Sequence, residues 1–356
     1  MKLQVLIGAI RDEQLGFHLA EPWRHTETSI TCVVPIVREV EEGKERDYLT
    51  SAEAGEKLEI VDSGQINKAT VINKTDKPVF MRSGELLKGD TQERSLTMSR
   101  LIMPGEKTEI DIVCINASKG IRSGTSFSSS GYAPSRDALY MSSIHEDGAV
   151  NQNQSWKEDK SYTQRAKMSA ETRLKSVSDS GGMCANVEGL TADEANHARQ
   201  VYSSTLSSVR SMGSSGVDNT TEFRDEVNKA FEDVIKDVPL LQDQVGMILI
   251  DTKGFYNLDC FDFTESWKAI KEALVGKECL AIAEKEEEDD SVFQYKPEKA
   301  KTHIQKVLGR GFEEKVVFEN KDHNIKTVTL NFENYFGEEV LLADEVIHLM
   351  IARNDK

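Results

Sequence analysis

The chain has 356 residues, 38% of them hydrophobic, and its 61 acidic and 44 basic side chains give a formal charge of −17. That length supports one large core or two ordinary ones. The acidic field argues against nucleic acid, because lysines and arginines are interleaved with acids and gather in no basic patch. No apolar run approaches the roughly 18–20 residues a membrane helix needs, and the start has none of the regions of a signal peptide. These absences point to a cytoplasmic protein with no membrane partner.

Met1–Ile10 reads as a short first strand. From Lys2 to about Ile115 the chain is β-rich. Ile30–Arg38, Leu58–Val61, Thr70–Asn73, Val79–Ser83 and Glu109–Ile115 are short and rich in β-branched residues. Turn residues separate them at Glu42-Gly43, Ser63-Gly64, Asp76–Pro78 and Pro104-Gly105. Strands so spaced predict a compact antiparallel sheet or sandwich. Ile110, Ile112 and Cys114 alternate on one side of the last of them, so Cys114 is expected to be a buried, unreactive thiol.

The most specific stretch is Pro78–Arg100, PVFMRSGELLKGDTQERSLTMSR. Val79–Leu87 and Gln92–Ile102 read as strands joined at Lys88-Gly89-Asp90-Thr91, and Gly89 suits the first central position of a type II′ turn. With that turn Leu87 pairs with Gln92 and Glu85 with Arg94, and alternation places Glu85, Leu87, Gln92 and Arg94 on one face. Glu85, Gln92 and Arg94 are therefore the candidate ligand-binding residues, with Glu85 the candidate general acid or base. A guanidinium clamps phosphate or carboxylate, while Glu and Gln fix hydroxyl or amide groups. The plainer account is a cross-strand ion pair beside an amide, worth about 0.2–1 kcal/mol.

Serine and glycine then dominate Ser118–Ser135, which is expected to be a loop or lid, or a plain connection. Helices follow. Thr191 and Glu194 form a capping-box pattern, and Phe223, Val227, Phe231, Val234 and Val238 recur at helical spacing before Pro239. Val245–Ile250 and Gly254–Cys260 read as extended, and Thr264 starts a helix with Trp267, Ile270, Leu274 and Leu280 on its apolar side. Glu284–Asp290 is a solvated acidic run. Pro297 opens a helix ending near Gly309, and the tail returns to strands at Val316–Glu319, Ile325–Phe332, Val340–Leu342 and Val346–Ile351. Strands, then helices, then strands is an α+β order. Four regions result: a β-rich region at 1–117 carrying the hairpin, a Ser/Gly-rich loop at 118–150, a helical region at 151–240, and an α+β region at 241–356 that returns to the sheet.

No Walker A or GxGxxG loop opens a helix. The five cysteines (Cys32, Cys114, Cys184, Cys260, Cys279) are dispersed without a CxxC pair, and the seven histidines do not cluster. Neither zinc nor a disulfide framework is expected, and no cofactor.

Gly84-Glu85-Leu86-Leu87, Gly89, Gln92 and Arg94 resemble the signature of the ARG and rhodanese-phosphatase-superfamily-associated protein domain family. The likeness extends to Val71-Ile72-Asn73 with Lys77-Pro78-Val79, to Ile112–Ile115 around Cys114, and to Gln154 with Trp156. It continues through Gln244-Val245-Gly246, Asp259-Cys260-Phe261, Trp267 and Ile347-His348-Leu349. The chain departs from the family pattern at Asn116, where a glutamate is usual, and at Ala117–Arg122, where an Arg-Trp pair is common. The family name implies an association with ADP-ribosylglycohydrolases, and so a link to ADP-ribose or NAD metabolism. Three readings follow. The first is a recognition module binding a small polar ligand or a protein partner. The others are a hydrolase or transferase acting on ADP-ribose or nucleotide-like substrates, and a structural assembly subunit.

Overall fold

The computed structural model describes residues 1–23, 32–39, 44–89, 93–115, 124–133, 163–171, 200, 203–205, 207–209, 211, 221–251, 253–283 and 297–354. In chain order, helix α1 (Leu3–Asp12) leads to strands β1 (Phe17–Leu19), β2 (Cys32–Arg38) and β3 (Leu49–Thr50), then to the short helix α2 (Ser51–Ala54). Strands β4 (Leu58–Gln65), β5 (Lys68–Asn73), β6 (Val79–Met81), β7 (Glu85–Gly89) and β8 (Arg94–Leu96) follow. Next come β9 (Arg100–Ile102), β10 (Lys107–Cys114) and β11 (Ser126–Tyr132), then helices α3 (Thr221–Ala230) and α4 (Glu232–Asp237). The last part holds β12 (Gln244–Asp251), β13 (Gly254–Phe261), α5 (Thr264–Ala283) and α6 (Pro297–Leu308). It closes with β14 (Glu313–Asn320), β15 (Ile325–Phe332), β16 (Tyr335–Leu342) and β17 (Glu345–Arg353). The α+β order read from the sequence is the order observed.

Eight strands form one antiparallel sheet in the order β1-β2-β12-β13-β17-β16-β15-β14. One face packs Leu6, Ile10, Ile248, Leu258, Leu349, Ile351 and Ile304 together beneath α1 and α6. The other packs Met247, Leu249 and Phe261 against Phe223, Val227, Trp267, Ile270 and Leu274 of α3 and α5. Full burial of each such side chain contributes about 1.5–3 kcal/mol. On β14 the register slips between Val316 and Phe318, a local bulge on the outermost of the described strands.

The second unit is a closed barrel, β10-β5-β4-β11-β7-β8, filled by Ile60, Val71, Leu87, Leu96, Ile110, Ile112 and Phe127. The small sheet β3-β6-β9 joins the barrel to the large sheet. Its Val79, Met81 and Ile102 pack into the barrel core, while Phe80 and Leu101 join the core of the large sheet. A capping box between Thr50 and Glu53 starts α2 beside it.

Two expectations are corrected here. Met1–Ile10 is not a strand: Leu3, Leu6, Ile7 and Ile10 are buried at helical spacing in α1, which ends at Glu13 in the left-handed region (φ 51°). A short apolar run is ambiguous between the two periods, and packing on the sheet decides it. Within the serine-rich segment, Ser126–Tyr132 is strand β11, which pairs with β4 and β7 and closes the barrel. Phe127 is its one side chain in the barrel core; elsewhere the barrel uses its hydrogen-bonding edges, so a mostly polar composition suffices. The expected helix start at Thr191, the acidic run at 284–290 and the residues around Asn116 lie outside the described residues. Among the described residues no helix is long and apolar enough to cross a membrane.

Candidate functional site

The hairpin is antiparallel, with a register two residues longer than expected. Leu87, not Glu85, pairs with Arg94, and Leu86 pairs with Ser95. Val79 pairs with Ile102 in the continuation of that register. Gly89 does not make a two-residue turn; it extends β7 and pairs with Phe127 of β11. The glycine serves the ring: a Cβ there would sit 2.7 Å from Phe127. Gly89→Ala is accordingly expected to destabilise the fold by about 1–3 kcal/mol, measured as a shift in the urea midpoint.

Arg94 is buried and turned to Asp62, at 3.4 Å, and to the sulfur of Cys114. It does not contact Glu85. A slip of two keeps the parity of the strand but moves the partner by one pleat, and the Asp62 carboxylate supplies the counter-charge instead. Cys114 is buried, as its alternation required. Gln92 lies outside the described residues.

Glu85 sits elsewhere, at the seam between the barrel and the large sheet. Its pairing partner is Tyr132, next to a register slip after Ser129 that Gly131 accommodates (φ 116°). The slip brings Ser129 and Tyr132 around the carboxyl group, and α2 brings Ser51. These two serine hydroxyls and the Arg82 backbone favour the ionised form without reaching full hydrogen-bond geometry, so among the described residues neither carboxylate oxygen has a hydrogen-bond partner. Burial dominates and pushes the group up to about 7.

Beside it lies a cavity of about 800 Å³, walled by β11, α2, α3 and α5. Ser51, Ser129 and Tyr132 separate Glu85 from this space, Arg224 and Asn228 line it from α3, and Lys277 lines it from α5. The remaining wall is partly apolar, with Leu58, Ile60, Leu86 and Phe127. Lys88 of β7 meets Glu222 of α3 at 3.0 Å.

Behind the cavity is a buried ionic cluster centred on Asp259 of β13. Arg82 reaches both carboxylate oxygens, at 2.5 and 3.4 Å, and Lys277 lies 3.1 Å from Oδ2. His348 Nε2 is 2.8 Å from Oδ1, and Glu278 stands 3.4 Å from Lys277. The side chains of Arg82, Asp259, Lys277 and His348 are fully enclosed. Burial alone would raise Asp259, but Arg82 and Lys277 outweigh it and hold the acid well below the usual carboxylate range. Burial lowers Lys277 and also His348, whose imidazole is therefore neutral. None of these four residues was singled out from spacing. The available signal was an ionisable residue inside an apolar strand, as in Leu258-Asp259-Cys260-Phe261 and Ile347-His348-Leu349.

The class is thus an α+β protein in which a small barrel docks on a large antiparallel sheet through a buried charge cluster, with a cavity at the seam. The chain belongs to the ARG and Rhodanese-Phosphatase-superfamily-associated Protein domain family, whose model matches residues 16–352. No curated protein and no solved structure matches it.

Proposed function

We propose that the protein is a cytoplasmic recognition module that takes a small polar ligand into the cavity between β11 and helices α3 and α5. The observation that carries this reading is Glu85, a buried carboxyl group with no hydrogen-bond partner among the described residues, set behind the serine and tyrosine wall of a space of about 800 Å³. Buried polar groups are normally satisfied, and a ligand hydroxyl or amide reaching between Ser51 and Ser129 would satisfy this one. The cavity falls in the usual size range for small-molecule sites, about 300–1,000 Å³. Its serine hydroxyls, the Arg224 guanidinium and its apolar patch suit a hydroxylated ligand with one flat face. Nucleotide-like or ADP-ribose-like molecules have that chemistry, and the family name points the same way. Glu85 stays at the centre of this proposal, whereas Arg94 is committed to Asp62 inside the barrel.

The test is calorimetric titration with NAD, ADP-ribose and mononucleotides, on the wild type and on Ser128→Trp. Ser128 is exposed on the cavity wall, so the indole fills the space without entering the core. At least one ligand is expected to bind, adding about 2.7 kcal/mol of stability at 100 times its Kd. Ser128→Trp is expected to weaken it by roughly tenfold or more. A panel in which nothing binds, or in which the tryptophan makes no difference, removes the reading.

A second reading rests on the position of Glu85 near 7, where a general acid or base is most effective. On it the protein is a hydrolase or transferase acting on ADP-ribose-like substrates. It requires turnover of such a substrate that Glu85→Gln abolishes while binding persists.

A further inference from the structure

A second cavity, of about 320 Å³, lies on the other side of the Asp259 cluster. Lys277, bonded to one oxygen of Asp259, lines the first cavity; His348, bonded to the other, lines the second. Arg38, Lys44, Asp262 and Glu345 supply the other charged side chains of its wall.

Among the described residues, two buried nitrogens of this wall's side chains have no hydrogen-bond partner: Nε of Arg38 and Nδ1 of His348. Their chemistry is opposite. Arg38 uses NH1 to hold the Asp262 carbonyl at 2.9 Å, which leaves Nε–H as an unused donor. His348 is held at 2.8 Å from Asp259, and an anionic carboxylate there requires that Nε2 carry the proton. Nδ1 is then a bare acceptor. The ring cannot swing away, because Phe80 and Phe261 flank it with centroids at 5.0 and 4.6 Å. Lys44 adds an ammonium at the rim, shared at 3.1 Å with Glu345, which is the competing anion. Asp262 accepts the Tyr48 hydroxyl at 2.5 Å, and burial raises it to about 7, so it adds only part of a negative charge near neutrality.

An occupant that satisfies both nitrogens must accept from Arg38 and donate to His348. We propose that this cavity binds a small oxyanion that carries its own hydroxyl, of which hydrogen phosphate is the simplest, with Arg38 and Lys44 taking the charge and His348 Nδ1 accepting the hydroxyl proton. Sulfate has the same shape and charge but no proton at neutral pH, and it leaves Nδ1 unsatisfied. The site is separate from the ligand cavity of the proposed function and stands or falls independently of it.

The experiment is calorimetric titration of the full chain with inorganic phosphate, sulfate and chloride at matched ionic strength and pH 7. Phosphate is expected to bind saturably, with sulfate at least about tenfold weaker, the loss typical of one charge-assisted hydrogen bond. Arg38→Gln is expected to abolish the phosphate response while its melting temperature in chloride stays close to that of the wild type. Should Arg38→Gln not fold, Lys44→Ala at the exposed rim is expected to weaken phosphate several-fold. Equal responses to phosphate and sulfate, no saturable phosphate binding, or phosphate binding unchanged in the variants overturns the proposal.

Discussion

Replacing Asp259 with asparagine is expected to cost the fold about 3–5 kcal/mol. Asparagine keeps the shape of the side chain and removes its charge. Arg82 and Lys277 then face one another with fully enclosed side chains, and His348 loses the anion that orients it. A buried ion pair need not stabilise a protein relative to an apolar substitute, but deleting one member strands the others without water. The position magnifies the loss. Arg82 comes from the segment that links β6 to the barrel strand β7, and Asp259 from the middle of the large sheet, so the cluster joins the two units. The check is urea unfolding of Asp259→Asn beside Glu232→Gln, which breaks the exposed helix pair of Lys236 and Glu232 and should cost no more than about 0.5 kcal/mol. A loss near 1 kcal/mol for Asp259→Asn would mean that water or a shifted side chain already relieves the cluster.

The second large effect concerns pH. A carboxyl group moved from 4.5 to about 7 by burial binds its proton more tightly in the folded state than in the unfolded chain. Between those two values the folded state holds more protons, so stability falls as pH rises, and above about 8 the slope vanishes. For Glu85 the full difference is about 3 kcal/mol. Asp262 and Glu339 act in the same direction. Burial lifts Asp262 to about 7 against the pull of Tyr48, and it lifts Glu339 to about 8 with help from Glu314. Asp259 behaves oppositely: its stabilisation is complete above its unfolded value of 3.8 and is lost only in stronger acid. Glu85, Asp262 and Glu339 are therefore expected to weaken the wild type as pH rises towards 8, while His348, lowered by burial, opposes them below about 6.5 and is fully neutral above it. Glu85→Gln, which cannot ionise, should flatten its share of that slope and be more stable than the wild type at pH 8 by about 2–3 kcal/mol. Parallel stability profiles for wild type and Glu85→Gln would show that Glu85 is neutralised by a partner in solution.

Much of the chain was legible because its signals were local. Thr264 and Trp267 announced α5, Pro297 announced α6, and the alternation in Ile325–Phe332 gave β15 its limits. Cys114 was placed correctly by its spacing from Ile110 and Ile112. The errors fell where local signals compete or are silent. The apolar run Leu3–Ile10 suits both periods, and Gly89 looked like a turn glycine although its function is to admit the Phe127 ring. β11 is held mostly by backbone pairing, and Phe127 alone among serines and glycine is too little apolar signature to read as a strand. In the candidate site, the Gly84–Gly89 stretch singled out Glu85 but paired it with Arg94, which the register separates from it. The charge cluster was not legible: Asp259 and His348 entered only within stretches resembling the family, and they meet across the paired strands β13 and β17, while Lys277 comes from α5 and Arg82 from the segment after β6. No spacing rule records such a meeting; it shows in the sequence only as charge where an apolar residue is expected.

The slip in β14 has a consequence for self-association. A sheet rim grows by offering an unbroken row of amide and carbonyl groups to an incoming chain. The bulge between Val316 and Phe318 divides this rim into two runs, each shorter than the five or six residues, roughly, of an ordinary strand. Glu313, Glu314 and Lys315 crowd the first run with charge. An approaching chain can match one run only by losing register with the other, which disfavours extension along this rim although Val316 is exposed.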